Sequence, residues 1–463
     1  MTASPLERLK RHRQEHLWQF ADQLSPQRQA ALAAQIAAVD FEQLSKLLAG
    51  QDKSVDWQSL AERAEPPPAV RLGQSHPEFS PEQARAAGEQ ALRAGHVGML
   101  LVAGGQGTRL GFDLPKGMFP IGPVSGRSLF QMHCDRLAAL SQKYGAPIPL
   151  YLMTSPATDT ETREYFAREN RCGLPEEQLR FFCQGQMPAV DAIGGKVLLA
   201  DKDQLALSPD GHGGIVWALA QSGSLEDAAN RGVRWLYYAQ VDNPLAELCD
   251  PTLIGYHLLS SSQVTTQVVK KRFATEKVGN VVAVDGQVQI IEYSDLPDAV
   301  AEKQTPAGDL LLWAGNIAIH VFNLDFLKQV AHQADGLPFH RATKKVPYVD
   351  ASGHLVSPEQ PNAIKFERFV FDLLPLAQRS LVVEGDAARV FAPVKNADGA
   401  AVDTPSLAKA ALLALHRRWL QAAGVRIDDG VRVEIHPRWA LDELEVRQKI
   451  SGDLHITTDT LLM

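Results

Sequence analysis

The sequence has few cysteines, no long apolar run and no excess of basic residues. Its four cysteines, Cys134, Cys172, Cys183 and Cys249, are irregularly spaced along 463 residues and form no CxxC pair. This spacing disfavours a zinc site or a disulfide framework and is typical of reduced thiols in a cytoplasm. No stretch approaches the roughly 20 apolar residues of a membrane span, and the N-terminus has no apolar signal core. We therefore expect a cytoplasmic protein without a membrane partner.

Acidic side chains outnumber basic ones in this chain. It carries 46 Lys and Arg residues against 54 Asp and Glu residues, a formal net charge of −8 at pH 7. This balance disfavours general binding to nucleic acid, and an anionic substrate would need a local basic pocket. The hydrophobic fraction of 45% is that of an ordinary globular protein. The composition indicates no particular oligomeric state.

Strands and helices alternate through the middle of the chain. The apolar runs HVGMLLV (96–102), IPLYLMTS (148–155) and VRWLYYAQ (233–240) predict buried strands. Helical segments lie between them, which is typical of an α/β sheet with parallel strands. A hairpin predicted to turn at Asp285-Gly286 makes the sheet mixed. We therefore expect an α/β protein with a Rossmann-like mixed sheet.

The two ends of the chain differ in character from its middle. Residues 5–49 predict helices, the second of which begins with Ser25 as N-cap and Pro26 in its first position. The polar, proline-containing stretch 51–78 predicts a linker. A long helix and a short β-rich piece follow residue 400. The predicted organisation is an N-terminal helical segment and linker over 1–78, a central domain over 79–380 and a small C-terminal domain over 381–463.

The strand at 96–102 runs into a glycine-rich loop, GGQGTRLGFDLPK, over residues 104–116. The loop lacks the third glycine of a dinucleotide-binding GxGxxG motif and the Gly-Lys-Ser/Thr ending of a Walker A motif. Its glycines would expose backbone N–H groups to phosphate oxygens, while Arg109 supplies a forked donor and Lys116 a point charge. The alternative is a tight turn with two surface charges, but the full spacing favours a phosphate-binding loop.

This loop resembles the signature of nucleotidyltransferases that make UDP-sugars from UTP and a sugar 1-phosphate. The likeness is greatest to the eukaryotic-type UDP-N-acetylglucosamine pyrophosphorylases. Further segments resemble segments of that family in the same order, namely PLERLKRHRQEHL, YLMTS, MPAV, SPDGHGG, QVDNPL, KKVPYVD, IKFERFVFD and VKNADG. The resemblance implies that residues 79–380 form a GT-A-like nucleotidyltransferase core and catalytic domain.

The resemblance also implies a reaction. A phosphate oxygen of the sugar 1-phosphate attacks the α-phosphorus of UTP in line, and pyrophosphate leaves. Such a transfer depends on alignment and charge neutralisation, for which Mg²⁺ is the expected cofactor. Asp242, which follows an apolar strand, corresponds to the family's metal-binding aspartate, although it could instead cap the next turn. Arg109 and Lys116 correspond to residues that hold the triphosphate and the departing pyrophosphate, and Lys395 corresponds to a lysine near the reacting phosphates.

Other positions correspond to substrate-binding residues of the family. For uracil these are Gln184 and the backbone around Ala103, Gly104, Gly105, Gly211 and His212. For the sugar and its phosphate they are Gly279, Glu292, Asn316, Lys365, Phe369 and Phe371. Without the family, Gln184 and Lys365 would be interpreted as surface residues, and the two phenylalanines as core residues on one face of a strand.

One departure leaves the choice of sugar open. The family usually has DGNGG where this chain has Asp210-Gly211-His212-Gly213-Gly214, and histidine at the middle position resembles the UDP-glucose and broad UDP-sugar enzymes. The substrate is therefore N-acetylglucosamine or N-acetylgalactosamine 1-phosphate, or alternatively glucose 1-phosphate or a broad range. A non-catalytic UDP-sugar sensor is a third hypothesis. The retained cations and Asp242 argue against it.

Overall fold

A computed structural model describes residues 5–49, 56–333 and 336–463. Contacts group the chain into two compact units. The small unit comprises Met1–Asp56, Gln184–Trp217 and Gln333–Asp372, and the large unit comprises Trp57–Cys183, Ala218–His332 and Leu373–Met463. This grouping joins segments that are distant along the chain. The division into 1–78, 79–380 and 381–463 follows chain order and stays a prediction.

The helices are short to medium in length and are numbered in chain order. They are α1 Pro5–Arg11, α2 Pro26–Ala38, α3 Phe41–Leu48, α4 Trp57–Glu62, α5 Pro81–Arg93, α6 Leu129–Tyr144, α7 Asp159–Arg168, α8 Ile215–Gln221, α9 Ser224–Asn230, α10 Pro251–Leu259, α11 Asp298–Ala301, α12 Leu324–Ala331, α13 Ala387–Val390, α14 Pro405–Ala422 and α15 Glu443–Lys449. None of those formed by the described residues is both long enough and apolar enough to span a bilayer.

The strands are numbered in the same way. They are β1 Ala69–Val70, β2 Val97–Val102, β3 Leu150–Thr154, β4 Leu179–Cys183, β5 Gln186–Pro188, β6 Val190–Asp191, β7 Leu199–Asp201, β8 Gln204–Leu205, β9 Leu207–Pro209, β10 Trp235–Gln240, β11 Val264–Lys270, β12 Asn280–Val284, β13 Gln287–Ile291, β14 Ala314–Asn323, β15 His340–Lys344, β16 Tyr348–Val349, β17 Leu355–Val356, β18 Ala363–Glu367, β19 Ser380–Glu384, β20 Arg426–Ile427, β21 Val433–Ile435, β22 His455–Ile456 and β23 Thr460–Leu462.

A mixed sheet forms the centre of the large unit. Its strand order is β1-β19-β11-β14-β10-β2-β3-β4, with the β12–β13 hairpin joined to β14. Strand β14 is antiparallel to both β10 and β11, whereas β10, β2, β3 and β4 are parallel neighbours. The central strands β2, β3 and β10 are apolar except for Thr154 and Gln240 at their ends, which is typical of strands that are buried on both faces of a sheet. The predicted α/β class with a mixed sheet is confirmed.

The topology brings several strand ends to one edge of this sheet. Strands β2 and β10 run in the same direction, and β11 and β19 share that direction because β14 is antiparallel to its neighbours on both sides. The loops that follow β2, β10 and β19 therefore leave the same edge. Strand β14 runs the opposite way and begins there. In α/β sheets this edge is where ligands bind.

Local sequence signals account for several element boundaries. Ser25 caps α2 by accepting the Arg28 N–H, and Ser80 forms a capping box at the start of α5. The hairpin turns where predicted, since Val284 pairs with Gln287 around Asp285 and Gly286. Both turn residues have φ above +50°, the conformation that a two-residue hairpin turn requires.

The small unit is built around a three-stranded sheet in the order β15-β18-β6. Its core combines apolar residues of the N-terminal helices with residues of the two later segments, including Leu9, Leu32, Val197 and Phe366. The prediction of helix throughout 5–24 is wrong beyond Arg11. Arg13 adopts a φ of 56°, which ends α1, and short 3₁₀ turns follow.

The C-terminal residues belong to the large unit. Helix α14 packs with β21 and α15 around a separate apolar cluster that includes Leu412, Trp419, Val433 and Val446. Two-stranded parallel ladders, β20–β22 and β21–β23, complete this region. All four cysteines of the chain are free thiols, and only Cys183 is exposed.

Candidate active site

The glycine-rich loop follows β2 at the ligand-binding edge of the sheet. Ala103 is buried, and the Gly104 carbonyl accepts a hydrogen bond from the Ser155 hydroxyl at 2.7 Å. The Lys116 N–H donates to the Gly105 carbonyl at 3.0 Å, which closes the loop on itself. Gly105 is exposed, and a methyl group there would meet no atom within 4 Å. The loop therefore presents open backbone at its beginning and a lysine at its end.

Lys116 and Asp242 form an ion pair. The Lys116 Nζ lies 3.2 Å from the Asp242 Oδ2, and their side chains are only 17% and 12% exposed. They meet because β2 and β10 are parallel neighbours, with Val102 opposite Gln240, so that the loops after them leave side by side. A cation and a carboxylate thus face each other where the strands end.

Lys395 is held next to Asp242 through the backbone. The Val394 N–H donates to the Asp242 carbonyl at 2.8 Å, and the Lys395 N–H donates to the Asp403 carbonyl at 2.8 Å. Burial raises the pKa of Asp403, and the positive charge of Lys395 opposes that rise. The Asp242 carboxylate also acts on Asp403 electrostatically, so these charged groups are neighbours.

Arg109 lies on the same loop as Lys116 but is exposed, in a 3₁₀ turn over Thr108–Leu110. Within the described parts of the chain, its guanidinium makes no hydrogen bond or ion pair. The structure therefore brings Lys116, Asp242 and Lys395 together and leaves the Arg109 side chain in solvent.

Three predicted sugar-binding residues also meet at this edge of the large unit. The Asn316 N–H donates to the Gly279 carbonyl at 2.8 Å, and the Asn316 Oδ1 accepts from the Ala318 N–H at 3.0 Å. A methyl group on Gly279 would lie 2.9 Å from the Ile290 side chain and 3.1 Å from the Glu292 Oε1. Because residue 279 is glycine, the Glu292 carboxylate and the Asn316 side chain can lie close to the backbone at this position.

The predicted uracil-binding residues of the small unit are also neighbours. The Gln184 Nε2 donates to the Gly211 carbonyl at 2.9 Å, and Gln184 is only 8% exposed. Gly211 has a φ of 84°, and a side chain there would collide with the Arg368 backbone. Because its amide NH₂ faces Gly211, Gln184 directs its Oε1 elsewhere as a hydrogen-bond acceptor.

His212 packs beside the two predicted phenylalanines. Its ring centroid lies 5.3 Å from that of Phe369 and 5.6 Å from that of Phe371, and these two rings stack at 4.9 Å. The phenylalanines lie after β18, at a 3₁₀ turn, so the interpretation of both as strand residues is wrong. Burial and the nearby His340 lower the pKa of His212 to about 4, so its ring is neutral at pH 7. The Val370 N–H donates to its Nδ1 at 3.1 Å, which leaves Nε2 as a donor.

Lys365 lies in the middle of β18, opposite Ala342 of β15. Its side chain is half-buried, and the next residue, Phe366, is fully buried in the core of the small unit. The predicted residues Gln184, Gly211, His212, Lys365, Phe369 and Phe371 thus all belong to the small unit.

Comparison with known proteins identifies the family of this chain. The chain matches the family described as UTP–glucose-1-phosphate uridylyltransferase over residues 40–429. The chain belongs to this family. It is therefore a uridylyltransferase, an enzyme that makes a UDP-sugar from UTP and a small-molecule sugar phosphate.

Named relatives of this uridylyltransferase confirm the resemblance seen in the motifs. Human UDP-N-acetylhexosamine pyrophosphorylase-like protein 1 is 39% identical over 437 residues, which cover 91% of this chain and 86% of the human protein. The UDP-N-acetylglucosamine pyrophosphorylase of Saccharomyces cerevisiae is 39% identical over 356 residues, which cover 75% and 74% of the two chains. The uridine diphosphate N-acetylglucosamine pyrophosphorylase from Trypanosoma brucei, solved with an inhibitor, superposes with a TM-score of 0.83 at 27% identity and covers 99% of each chain.

Several polar residues of the uridylyltransferase were not predicted but lie beside predicted residues of the same unit. His340 and Asp210 accompany the small-unit residues, and Asn243, His133 and Asp403 surround Asp242. The QVDNPL segment, on which the prediction of Asp242 rests, contains Asn243 as the next residue. This adjacency is the sequence signal that could have predicted Asn243. His133 lies on α6 and is buried, and its Nε2 lies 2.9 Å from the carbonyl of Val241, the residue before Asp242.

Proposed function

We propose that this uridylyltransferase transfers the uridylyl group of UTP to an N-acetylhexosamine 1-phosphate, either N-acetylglucosamine or N-acetylgalactosamine 1-phosphate, and releases pyrophosphate. The observation that carries the proposal is the grouping of Lys116, Asp242 and Lys395 at one sheet edge. Named relatives with 35–39% identity over most of the chain, which carry UDP-N-acetylhexosamine or UDP-N-acetylglucosamine in their names, support the sugar.

The large unit would perform the phosphate chemistry. Lys116 and Lys395 would neutralise the triphosphate and the departing pyrophosphate. The exposed Arg109 would swing onto the β- and γ-phosphates, where its planar fork matches phosphate oxygens. Because two anions have to approach each other for the in-line attack, the cations lower the barrier mainly by holding the reacting atoms in line and screening their repulsion.

A magnesium ion fits Asp242 as its single protein ligand. The described residues contain no cluster of three or more His, Cys, Asp or Glu side chains that could enclose a metal. Mg²⁺ commonly binds through one or two carboxylates and completes its shell with water and substrate phosphates, which a single well-placed aspartate suits. When bound, the ion would supply charge neutralisation at the α-phosphate. Lys116, already beside Asp242, would then be released towards the phosphates.

The remaining residues would select base and sugar. Gln184 would accept a hydrogen bond from the uracil ring through its Oε1, and backbone N–H groups near Gly104 and Gly211 would donate to the base. Glu292 and Asn316 would bind sugar hydroxyls or the acetamido group. Phe369 and Phe371 would offer that group an apolar surface.

The small unit contains a further cation and a further hydrogen-bond donor among the predicted residues. Lys365 would bind the sugar phosphate, and His212 would donate from Nε2. We also place the enzyme in the cytoplasm, which its four free thiols favour.

A panel of sugar 1-phosphates tests the proposal directly. The purified protein is incubated with UTP, Mg²⁺ and each of N-acetylglucosamine, N-acetylgalactosamine, glucose and galactose 1-phosphate, and pyrophosphate release is measured. The N-acetylated substrates should give the highest kcat/KM. Preference for glucose 1-phosphate would refute the sugar assignment, and UDP-sugar binding without pyrophosphate release would refute catalysis. Asp242→Ala should remove nearly all turnover while thermal unfolding stays cooperative.

A further inference from the structure

The segment 390–395 delivers Lys395 to the active site. It begins at Val390, the last residue of α13, and its backbone belongs to no helix or strand from Phe391 to Lys395. Pro393 has no N–H to donate. The Phe391 N–H is used within its own turn, to the Ala387 carbonyl. The position of this segment against β10 must therefore come from elsewhere.

Asn243 supplies most of that attachment. Its Nδ2 donates to the Val390 carbonyl at 2.7 Å, and its Oδ1 accepts from the Ala392 N–H at 3.1 Å. The same Oδ1 also accepts from the Leu245 N–H at 3.3 Å, within the turn after β10. Asn243 is only 4% exposed, so each of these bonds is made away from water. The hydrogen bonds of a buried amide that is bonded at both ends fix the position of its partners, because they depend on direction, whereas apolar packing does not.

The adjoining residue completes the attachment. The Asp242 carbonyl accepts from the Val394 N–H at 2.8 Å. Asp242 and Asn243 together therefore bond the segment at residues 390, 392 and 394, and Lys395 is the next residue. Val390 and Val394 are buried in the core of the large unit, which keeps the segment close but does not define its register.

We propose that Asn243 is a positioning residue that sets the distance between Asp242 and Lys395. Both ends of its amide bond to protein backbone, so it acts without contacting substrate or metal. It acts by tying the segment that carries the lysine to the strand end that carries the carboxylate. This inference rests on the proposed function of Lys395 at the reacting phosphates.

A double-mutant cycle tests the inference. Asn243→Ala should lower kcat about 10- to 100-fold, because a displacement of about 1 Å at reacting groups has effects of that size, while the KM for UTP changes less than about threefold. In the Lys395→Met background the same substitution should lower kcat less than about threefold, since the lysine that it positions is gone. A merely structural residue would give the same loss in both backgrounds.

Controls keep the result interpretable. Asn323 ends β14 and pairs with Trp235 at the start of β10, the end of that strand away from Asp242. Asn323→Ala removes a comparable side-chain hydrogen bond, to His257, and it should change kcat equally in both backgrounds. If Asn243→Ala does not fold, Asn243→Ser, which keeps one acceptor, replaces it, with thermal unfolding as the check. An unchanged kcat in Lys395→Met alone would overturn the proposed role of the lysine, and this inference with it. Equal losses from Asn243→Ala in both backgrounds would overturn only the positioning role.

Discussion

Replacing Asp242 by asparagine should make the enzyme bind UTP more tightly in the absence of metal, although it abolishes turnover. In the free protein Lys116 is engaged by the Asp242 carboxylate at 3.2 Å. UTP must therefore compete with that carboxylate for the lysine, and it also meets the carboxylate's own negative charge. Asparagine keeps the shape of the side chain and removes both obstacles. Catalysis should fail because the charged ligand for Mg²⁺ is lost.

The size of the effect follows from the geometry of the pair. Opposite unit charges 3.2 Å apart attract by about 5 kcal/mol at an effective dielectric constant of about 20. Most of this attraction does not count towards UTP affinity, because Lys116 only exchanges one anion for another and because water solvates the partly exposed groups. A net gain of about 1 to 2 kcal/mol remains, which corresponds to roughly 5- to 30-fold tighter binding.

Isothermal titration of UTP into each protein in EDTA measures this difference. Asp459→Asn is the matched control. It changes the net charge of the protein by the same amount at an exposed aspartate paired with Arg432 in the C-terminal region, and it should leave UTP affinity unchanged. Equal or weaker UTP binding by Asp242→Asn would show that the carboxylate does not restrain Lys116, and the reasoning from the ion pair would be refuted.

Three further outcomes are expected. Gly279→Ala would place a methyl group 2.9 Å from Ile290 and 3.1 Å from the Glu292 carboxylate, so steady-state kinetics should show a raised KM for the sugar phosphate with little change in UTP affinity. Burial lowers the pKa of His257 to about 4 from 6.5, so the native state stays neutral while the unfolded chain takes up a proton below pH 6.5. The contribution of this histidine to stability is then complete above pH 6.5 and is lost as the pH falls towards 4. Urea unfolding should show a loss of about 2 kcal/mol from His257 between pH 7 and pH 5, and His257→Gln should reduce the pH dependence of the free energy of unfolding by about that amount. Ser80→Ala removes the capping box of α5 and should lower the free energy of unfolding by about 1 kcal/mol without altering kcat, and a changed kcat would contradict its purely structural role.

The parts of the fold that could be predicted are those encoded locally. Strands β2 and β10, the hairpin at Asp285 and Gly286, and the capped start of α2 each follow from a few adjacent residues. The Arg13 break is different. Its neighbour Gln14 is buried and bonds to Val197 and Gly195, which lie more than 180 residues away, so no local pattern reports it.

The candidate site also contains features that the local sequence predicts and features that it does not. The loop ending at Lys116 and the aspartate after β10 were visible because each follows an apolar strand. The direct pairing of Lys116 with Asp242 was not, since it depends on the order of strands in the sheet. The bonds from Asn243 to Val390 and Ala392 cross about 150 residues of chain and have no counterpart in the local sequence.

The chain alternates between its two units, and this order has a consequence for protein synthesis. The small unit needs β18, which ends at Glu367, and the central sheet of the large unit needs β19, which ends at Glu384 and lies between β1 and β11. Helices α1 to α3 thus leave the ribosome long before their partner strands exist. At translation rates of about 5 to 20 residues per second, β18 is made roughly 15 to 60 s after these helices, and their apolar faces lack this partner until then. Nascent chains of this enzyme should therefore depend on chaperones that shield exposed apolar surface, and truncations before residue 384 should aggregate rather than fold.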